Sequence, residues 1–350
     1  MYPSEKDPLF GVFIKNFISS FKLLGVEFTS LVLIKGKTKF IFNKLFNYIT
    51  YYLNIIICYF KKNHDLIYIH YISHNAPILA LCLFVFGKKK PIVINVHGSD
   101  IVKTDKSFFS PFIRYCLRRI DCLIVPSIYF KHLVMSLYPF LDEKKIEISP
   151  SGGINFNVFF TKNTKIKENS LFHFGLVSRI DYNKGWYDFI LAIYELKNRG
   201  FNFKVSIAGD GREKKLLLEE IKKRKLDNFV TYLGLVKQKD LIDIYNNIDV
   251  LVFPTKLKEG LGLVGLESMA CSTPVIASNS SGPATYVQEG KNGFLFRTGD
   301  VSDLVLKMEN AIKLNSCDLI KMKNNALREA EKYESKLVVN KLYNKLLKLL

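Results

Sequence analysis

What the chain lacks narrows it first. None of its six cysteines (Cys58, Cys82, Cys116, Cys122, Cys271 and Cys317) stands in a C-x-x-C pair, and most lie inside apolar runs. That excludes a disulfide framework and fits buried free thiols in a reducing cytoplasm. An uninterrupted membrane span is also missing. The longest candidate, Ile41 to Phe60, carries Asn43, Lys44, Asn47, Thr50 and Asn54, which make it a poor transmembrane helix. Met1 to Asp7 is polar, so no signal peptide is expected and the reading is a soluble, cytoplasmic protein. No Asp-x-Asp pair stands at a strand end and no histidine–cysteine cluster occurs, so no metal site is expected. Acid is scarce beside base: 32 acidic residues against 51 basic ones leave a formal charge of +19. Such a balance suits an anionic partner, whether nucleic acid, a phosphorylated substrate or an acidic membrane surface. The excess is shared between both halves, which argues against a nucleic-acid-binding tail.

What is present is the material of two ordinary domains. A chain of 350 residues, 48% hydrophobic and 24% charged, can bury two cores and is not disordered. Apolar residues recur at helical spacing from Phe10 to Leu24, and Gly25 closes that helix. Val26–Ile34 reads as a strand and Phe40–Phe60 as a long helix rich in Phe, Tyr and Ile. That helix is either a core element or, with Lys44, Lys61 and Lys62 beside it, a face resting on a bilayer surface. Strands at 65–70, 91–96, 122–127 and 146–150 alternate with helices at 76–86, 107–119 and 128–138. A second series has strands at 171–177, 204–208, 230–233, 250–253 and 274–277, then helices at 302–315 and 318–350. The last helix carries an apolar stripe of Leu337, Leu342, Leu346 and Leu349. Repeated βα units mean parallel sheets covered on both faces, so the fold class is α/β with two Rossmann-like, doubly wound domains. Ligands then bind at the carboxyl ends of the strands. Residues 157–170, polar and patternless, read as the linker.

One stretch concentrates the chemistry. Val250–Phe253 has the length of a strand buried on both faces, and Pro254 stops it. A glycine-bearing loop leads into a short helix from Leu263, with Glu259 and Glu267 bracketing the junction and seven residues between them. Gly260 and Gly262 allow close approach of backbone to ligand, and the helix start offers free N–H groups to phosphate. Spacing alone also fits an ordinary strand–loop–helix with two solvated glutamates.

This stretch resembles the E-x7-E signature of the retaining glycosyltransferases of family 4, which have the GT-B fold. The family pattern, roughly P-S-x-x-E-G-F-G-L-x-x-L-E-A-M-A-C-G-x-P-V-I-A, is matched from Pro254 through Glu259, Gly260, Gly262, Leu263, Leu266 and Glu267 to Ala277. It departs at Leu261, Ser268 and Ser272. The resemblance implies two Rossmann-like domains facing a cleft: an acceptor-side domain at 1–155, a nucleotide-sugar domain at 156–332, and a last helix, 333–350, packed back onto the first. It implies an enzyme that moves a sugar from a nucleoside diphosphate donor to a glycan or lipid-linked acceptor, without cofactor or metal and without nucleic acid as partner. The expected setting is cell-surface polysaccharide synthesis, with the protein peripheral at the inner face of the membrane.

Residue by residue, Ser178–Gly185 is similar to the family's G-R-x-x-x-x-K-G, so Arg179 and Lys184 are expected on the diphosphate. Gly209 resembles the glycine turn near the nucleotide, and Leu235 the segment that seats the base. Glu267 is expected on the ribose hydroxyls, Glu259 on hydroxyls of the transferred sugar, and the N–H groups of Gly262 and Leu263 on the distal phosphate. His97, in V-x-V-H-G-x-D, resembles the histidine that lies over the donor sugar. His70 and His74 are candidates for the acceptor pocket, and Gly11 for the loop of the first domain.

Two departures keep other readings open. Thr285 stands where the family's G-G-x-x-E places glutamate, and the strand that usually precedes the loop at Tyr2–Phe13 is absent from the sequence. Either the start was assigned late or the first domain lacks a central strand. The rival functions are an inactive accessory or binding protein and a sugar-nucleotide epimerase of the same fold.

Overall fold

A computed structural model describes residues 2–3, 11–36, 41–61, 63–102, 107–162 and 171–350. Residues 4–10 of the expected first loop, Phe40, Lys62 and residues 163–170 of the expected linker lie outside it. The chain forms two compact units, Met1–Gly152 with Lys336–Leu350, and Gly153–Ser335.

In the first unit α1 (Val12–Leu23) and α2 (Ile41–Phe60) precede a parallel sheet of four strands. The strands β1 (Ile67–His70), β2 (Ile92–Asn95), β3 (Cys122–Val125) and β4 (Ile146–Ile148) lie side by side in chain order. Side chains alternate across the sheet, as the two-residue period of a strand requires. Ile92, Ile94, Leu123 and Val125 meet α3 (Ile72–Phe86), α4 (Ser99–Val102), α5 (Ser110–Leu117) and α6 (Ile128–Leu137). Val93, Cys122 and Ile124 face the other way, onto Phe21 of α1.

The expected strand at Val26–Ile34 is not one. The segment is irregular, and the ladder contact nearest to it among the described residues is an isolated bridge from Lys35, just past its end, to Tyr2. A strand exists by pairing, and among the described residues no neighbour runs beside this one. The helix expected from Ala76 begins four residues earlier, at Ile72, because the Asp100 carboxylate reaches across to accept from the Ile72 N–H at 3.2 Å. That cap comes from another element, so the local sequence does not show it.

The second unit carries six parallel strands in the order β10-β9-β8-β5-β6-β7. In chain order its elements are β5 (Phe172–Val177), α7 (Trp186–Asn198), β6 (Phe203–Ala208), α8 (Lys214–Lys223), β7 (Val230–Gly234), α9 (Leu241–Asn247), β8 (Val250–Phe253), α10 (Leu263–Ala270), β9 (Val275–Ser278), β10 (Gly293–Phe296), α11 (Val301–Ile312) and α12 (Ser316–Glu331). One face packs on α7, α8 and α11, the other on α9, α10 and α12. β10 went unread in the sequence, since four residues between glycine turns show no alternation. Residues 157–162 of the expected linker are packed into this unit: Phe159 is buried, and the Lys162 N–H donates to Asn246 Oδ1 at 2.7 Å.

The expected helix at 318–350 is broken at Lys332–Glu334, where Ile154 exchanges backbone hydrogen bonds with Tyr333 and Ser335. The last helix, α13 (Ser335–Leu347), packs Val339, Leu342 and Leu346 against Phe21, Val93, Cys122 and Ile124 of the first unit. Leu337, expected in that stripe, is instead 55% exposed. Among the described residues no helix is long and apolar enough to cross a membrane.

Candidate active site

The second unit's strand order fixes where its site lies. β5 and β8 are neighbours, yet the chain winds outward from them in opposite directions, through β6 and β7 on one side and β9 and β10 on the other. Their carboxyl-terminal loops therefore diverge and leave a crevice at this switch point. Arg179 and Lys184 leave β5 on one loop; Glu259 leaves β8 on the other.

The two loops are stitched together. Gly185 has φ 78°, and a Cβ there would lie 1.8 Å from the Pro254 carbonyl oxygen, so only glycine allows this approach. The Lys256 N–H donates to the Asn183 carbonyl at 2.8 Å, and Lys256 Nζ meets Asp188 at 2.8 Å. Lys184 Nζ lies 2.6 Å from Glu259 Oε1, both side chains being mostly buried. The same carboxylate oxygen accepts from Thr255 Oγ1 at 2.9 Å, and the Glu259 N–H donates to Ser281 Oγ at 3.1 Å. One cation and one carboxylate, expected to serve different parts of a ligand, are thus paired with each other.

Glu267 sits deeper, in the second turn of α10 and 6% exposed. Burial raises its pKa, against the opposing pull of Gln238 Nε2 at 3.2 Å and Tyr245 Oη at 3.0 Å, both donating to it. Two donors leave acceptor capacity on a carboxylate, which has about four lone-pair positions. At the start of the same helix Gly262 takes φ 82° and Leu263 opens the first turn, so their backbone faces the loop side of the junction.

The other expected residues follow the remaining strands. Arg179 is exposed and pairs with no carboxylate among the described residues; the guanidinium that holds Asp181 below the usual carboxylate range is that of Arg212, 2.7 Å away. Gly209 follows β6 with φ 142°, and a Cβ there would fall 1.7 Å from the Ser178 carbonyl oxygen. That crowding accounts for the glycine without any ligand. Leu235 follows β7 and is 70% exposed.

In the first unit, β1 ends at His70 and β2 leads into His97, and their imidazoles meet with Nδ1 of His70 3.1 Å from Nε2 of His97. Burial drives both pKa values down, that of His97 to about 4 and that of His70 well below its ordinary value with the neighbouring imidazole adding to the effect. Both are therefore neutral at pH 7. The rings pack among Phe13, Phe17 and Tyr71, and Asp100 holds the loop by accepting from the His97 and Gly98 N–H groups at 2.9 Å each. His74 is not beside them on the strand–loop: it lies exposed in the first turn of α3, against Tyr48 and Phe109. Gly11 caps α1 with φ 76°.

Sequence reasoning missed Gln238, Tyr245, Thr255 and Ser281. Three of them sit 22 to 29 residues from the glutamate they hold, and nothing in the local pattern marks them. Among the described residues no group of three His, Cys, Asp or Glu is placed to hold a metal ion.

Two α/β units with parallel sheets, one carrying this junction of glutamates, define the GT-B class of glycosyltransferases. The chain belongs to glycosyltransferase family 4: residues 25–152 match the model described as Glycosyltransferase Family 4, and residues 159–332 that described as Glycosyl transferases group 1. It is similar to the capsular polysaccharide biosynthesis glycosyltransferase CapM of Staphylococcus aureus, 29% identical over 280 residues that cover 75% of this chain and 73% of the relative. It is also similar to the N-acetyl-alpha-D-glucosaminyl L-malate synthase of Bacillus anthracis, 26% identical over 265 residues, 73% of this chain and 66% of that protein. Among solved structures, Anabaena HepE in complex with UDP shares the fold with a TM-score of 0.74 at 19% identity, over 86% of this chain and 82% of HepE.

Proposed function

We propose that this chain is a retaining glycosyltransferase that takes a sugar from a nucleoside diphosphate donor. The observation that carries the reading is the junction at β5 and β8: a buried carboxylate, Glu267, beside a mutually paired Lys184 and Glu259, with Arg179 open to solvent. In that reading the bond from the anomeric carbon to the diphosphate breaks, and the acceptor hydroxyl oxygen forms a new bond on the same face of the sugar while its proton passes to the departing diphosphate. Negative charge grows on the departing diphosphate, and Arg179 and Lys184 are the cations that meet it, helped by the α10 N-terminus at Gly262 and Leu263. Lys184 must turn from Glu259 to phosphate, which frees Glu259 to accept from sugar hydroxyls. Glu267 accepts from the ribose hydroxyls, its remaining capacity already oriented by Gln238 and Tyr245. His97, a neutral imidazole able to donate and accept, is assigned to the sugar through the resemblance of its loop.

The UDP in the HepE structure puts UDP-sugars first as donors, and the CapM likeness supports polysaccharide biosynthesis as the setting; the acceptor we propose is a glycan or lipid-linked glycan at the inner face of the membrane. With Arg179 and Lys184 assigned to the leaving group, we propose a reaction that uses no metal or other cofactor. Incubation with a panel of nucleotide sugars, with and without lipid-linked glycan acceptors, tests the reading by nucleotide release and by the anomeric configuration of the product. Binding of donor without turnover on any acceptor points to an accessory protein, and an inverted product overturns the retaining assignment.

A further inference from the structure

Helix α2 turns the wrong face outward for a helix on a water-soluble domain. Phe42, Phe46, Ile49, Leu53, Ile57 and Phe60 are 82, 69, 51, 55, 52 and 51% exposed. At 100° per residue these six fall within about 80° of the helix circumference and run about 27 Å along it. The inward side is instead tyrosine-bearing and hydrogen-bonded: Tyr51 donates to Asn75 Oδ1 at 2.7 Å, Tyr52 to the His74 carbonyl at 2.9 Å and Tyr59 to the Gly87 carbonyl at 2.6 Å. These bonds fix the rotation of α2 on α3, so the apolar stripe stays exposed. It continues onto α3, where Phe84 is 78% and Val85 54% exposed, and where Phe86 meets Phe60 at 4.1 Å between ring centroids. Monomeric soluble proteins rarely leave a contiguous apolar patch of this extent uncovered.

The charge around the stripe identifies what covers it. From residue 28 to residue 99 the sequence has nine lysines and a single carboxylate, Asp65. Lys61 follows the stripe at the end of α2, Lys89 and Lys90 follow α3, and none of these three pairs with a carboxylate among the described residues. A second copy of the chain would bring the same lysines onto the same face and be repelled. A surface of anionic lipid offers hydrocarbon to the aromatic and aliphatic side chains and negative head groups to the ammonium groups.

We infer that the α2–α3 face docks flat on an anionic membrane surface, with α2 lying in the interfacial plane. This assignment is independent of the catalytic reading, since it uses no residue of the candidate site. Co-sedimentation with phosphatidylcholine vesicles, and with vesicles containing roughly a third phosphatidylglycerol, tests it. The wild-type chain is expected to pellet with the anionic vesicles at least about tenfold more strongly than with neutral ones. Phe42→Ser/Phe46→Ser/Leu53→Ser and Lys61→Gln/Lys89→Gln/Lys90→Gln are each expected to lose about tenfold or more of that binding. A separate Phe46→Trp variant is expected to be quenched by brominated lipid, while Trp186 in the wild type is not. Wild-type protein left in the supernatant, equal binding by the serine variant, or a dimer that the serine substitutions dissolve would each overturn the inference.

Discussion

Glu259 and Glu267 are neighbours in the signature but not in their surroundings, and the difference sets what each variant does. Glu267 is buried and held by two donors, Gln238 and Tyr245, whereas Glu259 is neutralised by Lys184. If Glu267 accepts from both ribose hydroxyls as proposed, Glu267→Gln loses that contact, and affinity should fall for donor and free nucleoside diphosphate alike. In Glu259→Gln the Lys184 ammonium is released toward phosphate, so affinity for the free nucleoside diphosphate holds or rises while turnover falls. Calorimetric titration of the nucleotide against both variants checks this, and equal losses would mean the roles are wrongly divided. Arg179, with no carboxylate to release, is expected to cost about ten- to a hundredfold in kcat/KM when changed to Ala; unchanged kinetics in Arg179→Ala/Lys184→Ala would remove both from the diphosphate. The glutamates, Arg179 and Lys184 were legible because a motif carries them at fixed spacing. Their supports were not, because Tyr245 on α9 and Ser281 after β9 reach the site only through the sheet's order.

Among the elements, strands buried on both faces were the readable ones: Cys122–Val125 and Val250–Phe253 are short apolar runs bounded by clear stops, and both are strands. Elements whose existence depends on a partner were not readable. Val26–Ile34 has strand composition yet lacks a neighbour among the described residues, and the start of α3 depends on a cap from Asp100. Helix α12 ends where Ile154 takes the backbone of Tyr333 and Ser335. Loop glycines divide in the same way, and the division is measurable. Gly185 and Gly200 have nearly equal φ values, 78° and 81°, but a Cβ at Gly200 meets nothing within 4 Å. Gly200→Ala should therefore cost about 1–2 kcal/mol, the strain of the left-handed backbone alone. Gly185→Ala adds a collision with the Pro254 carbonyl that only parting the β5 and β8 loops relieves, for a total of about 3 kcal/mol or more. Urea unfolding of the two variants checks the difference, and donor turnover should fall only in Gly185→Ala. Equal stability losses would show that the loops yield without strain.

At the scale of the whole molecule, the two units have separate cores, and the chain's last helix belongs to the first of them. Val339, Leu342 and Leu346 of α13 complete the core on one face of the four-stranded sheet, over Phe21, Val93, Cys122 and Ile124. The single tryptophan, Trp186, lies in the second unit, 3% exposed and hydrogen-bonded from Nε1 to Glu213 Oε2 at 2.7 Å, so its fluorescence reports that unit alone. Leu342→Ala and Leu346→Ala each remove a buried branched side chain, at about 2–5 kcal/mol apiece. The double variant should place most of that loss on the first unit. Circular dichroism, which sees all helices, should then show an early transition that tryptophan fluorescence does not follow. The fluorescence midpoint should stay within about 0.5 M urea of the wild type's, because no contact of Trp186 or its core has changed. If both signals shift together by the full amount, the units unfold as one cooperative body and the separation of their cores has no energetic counterpart.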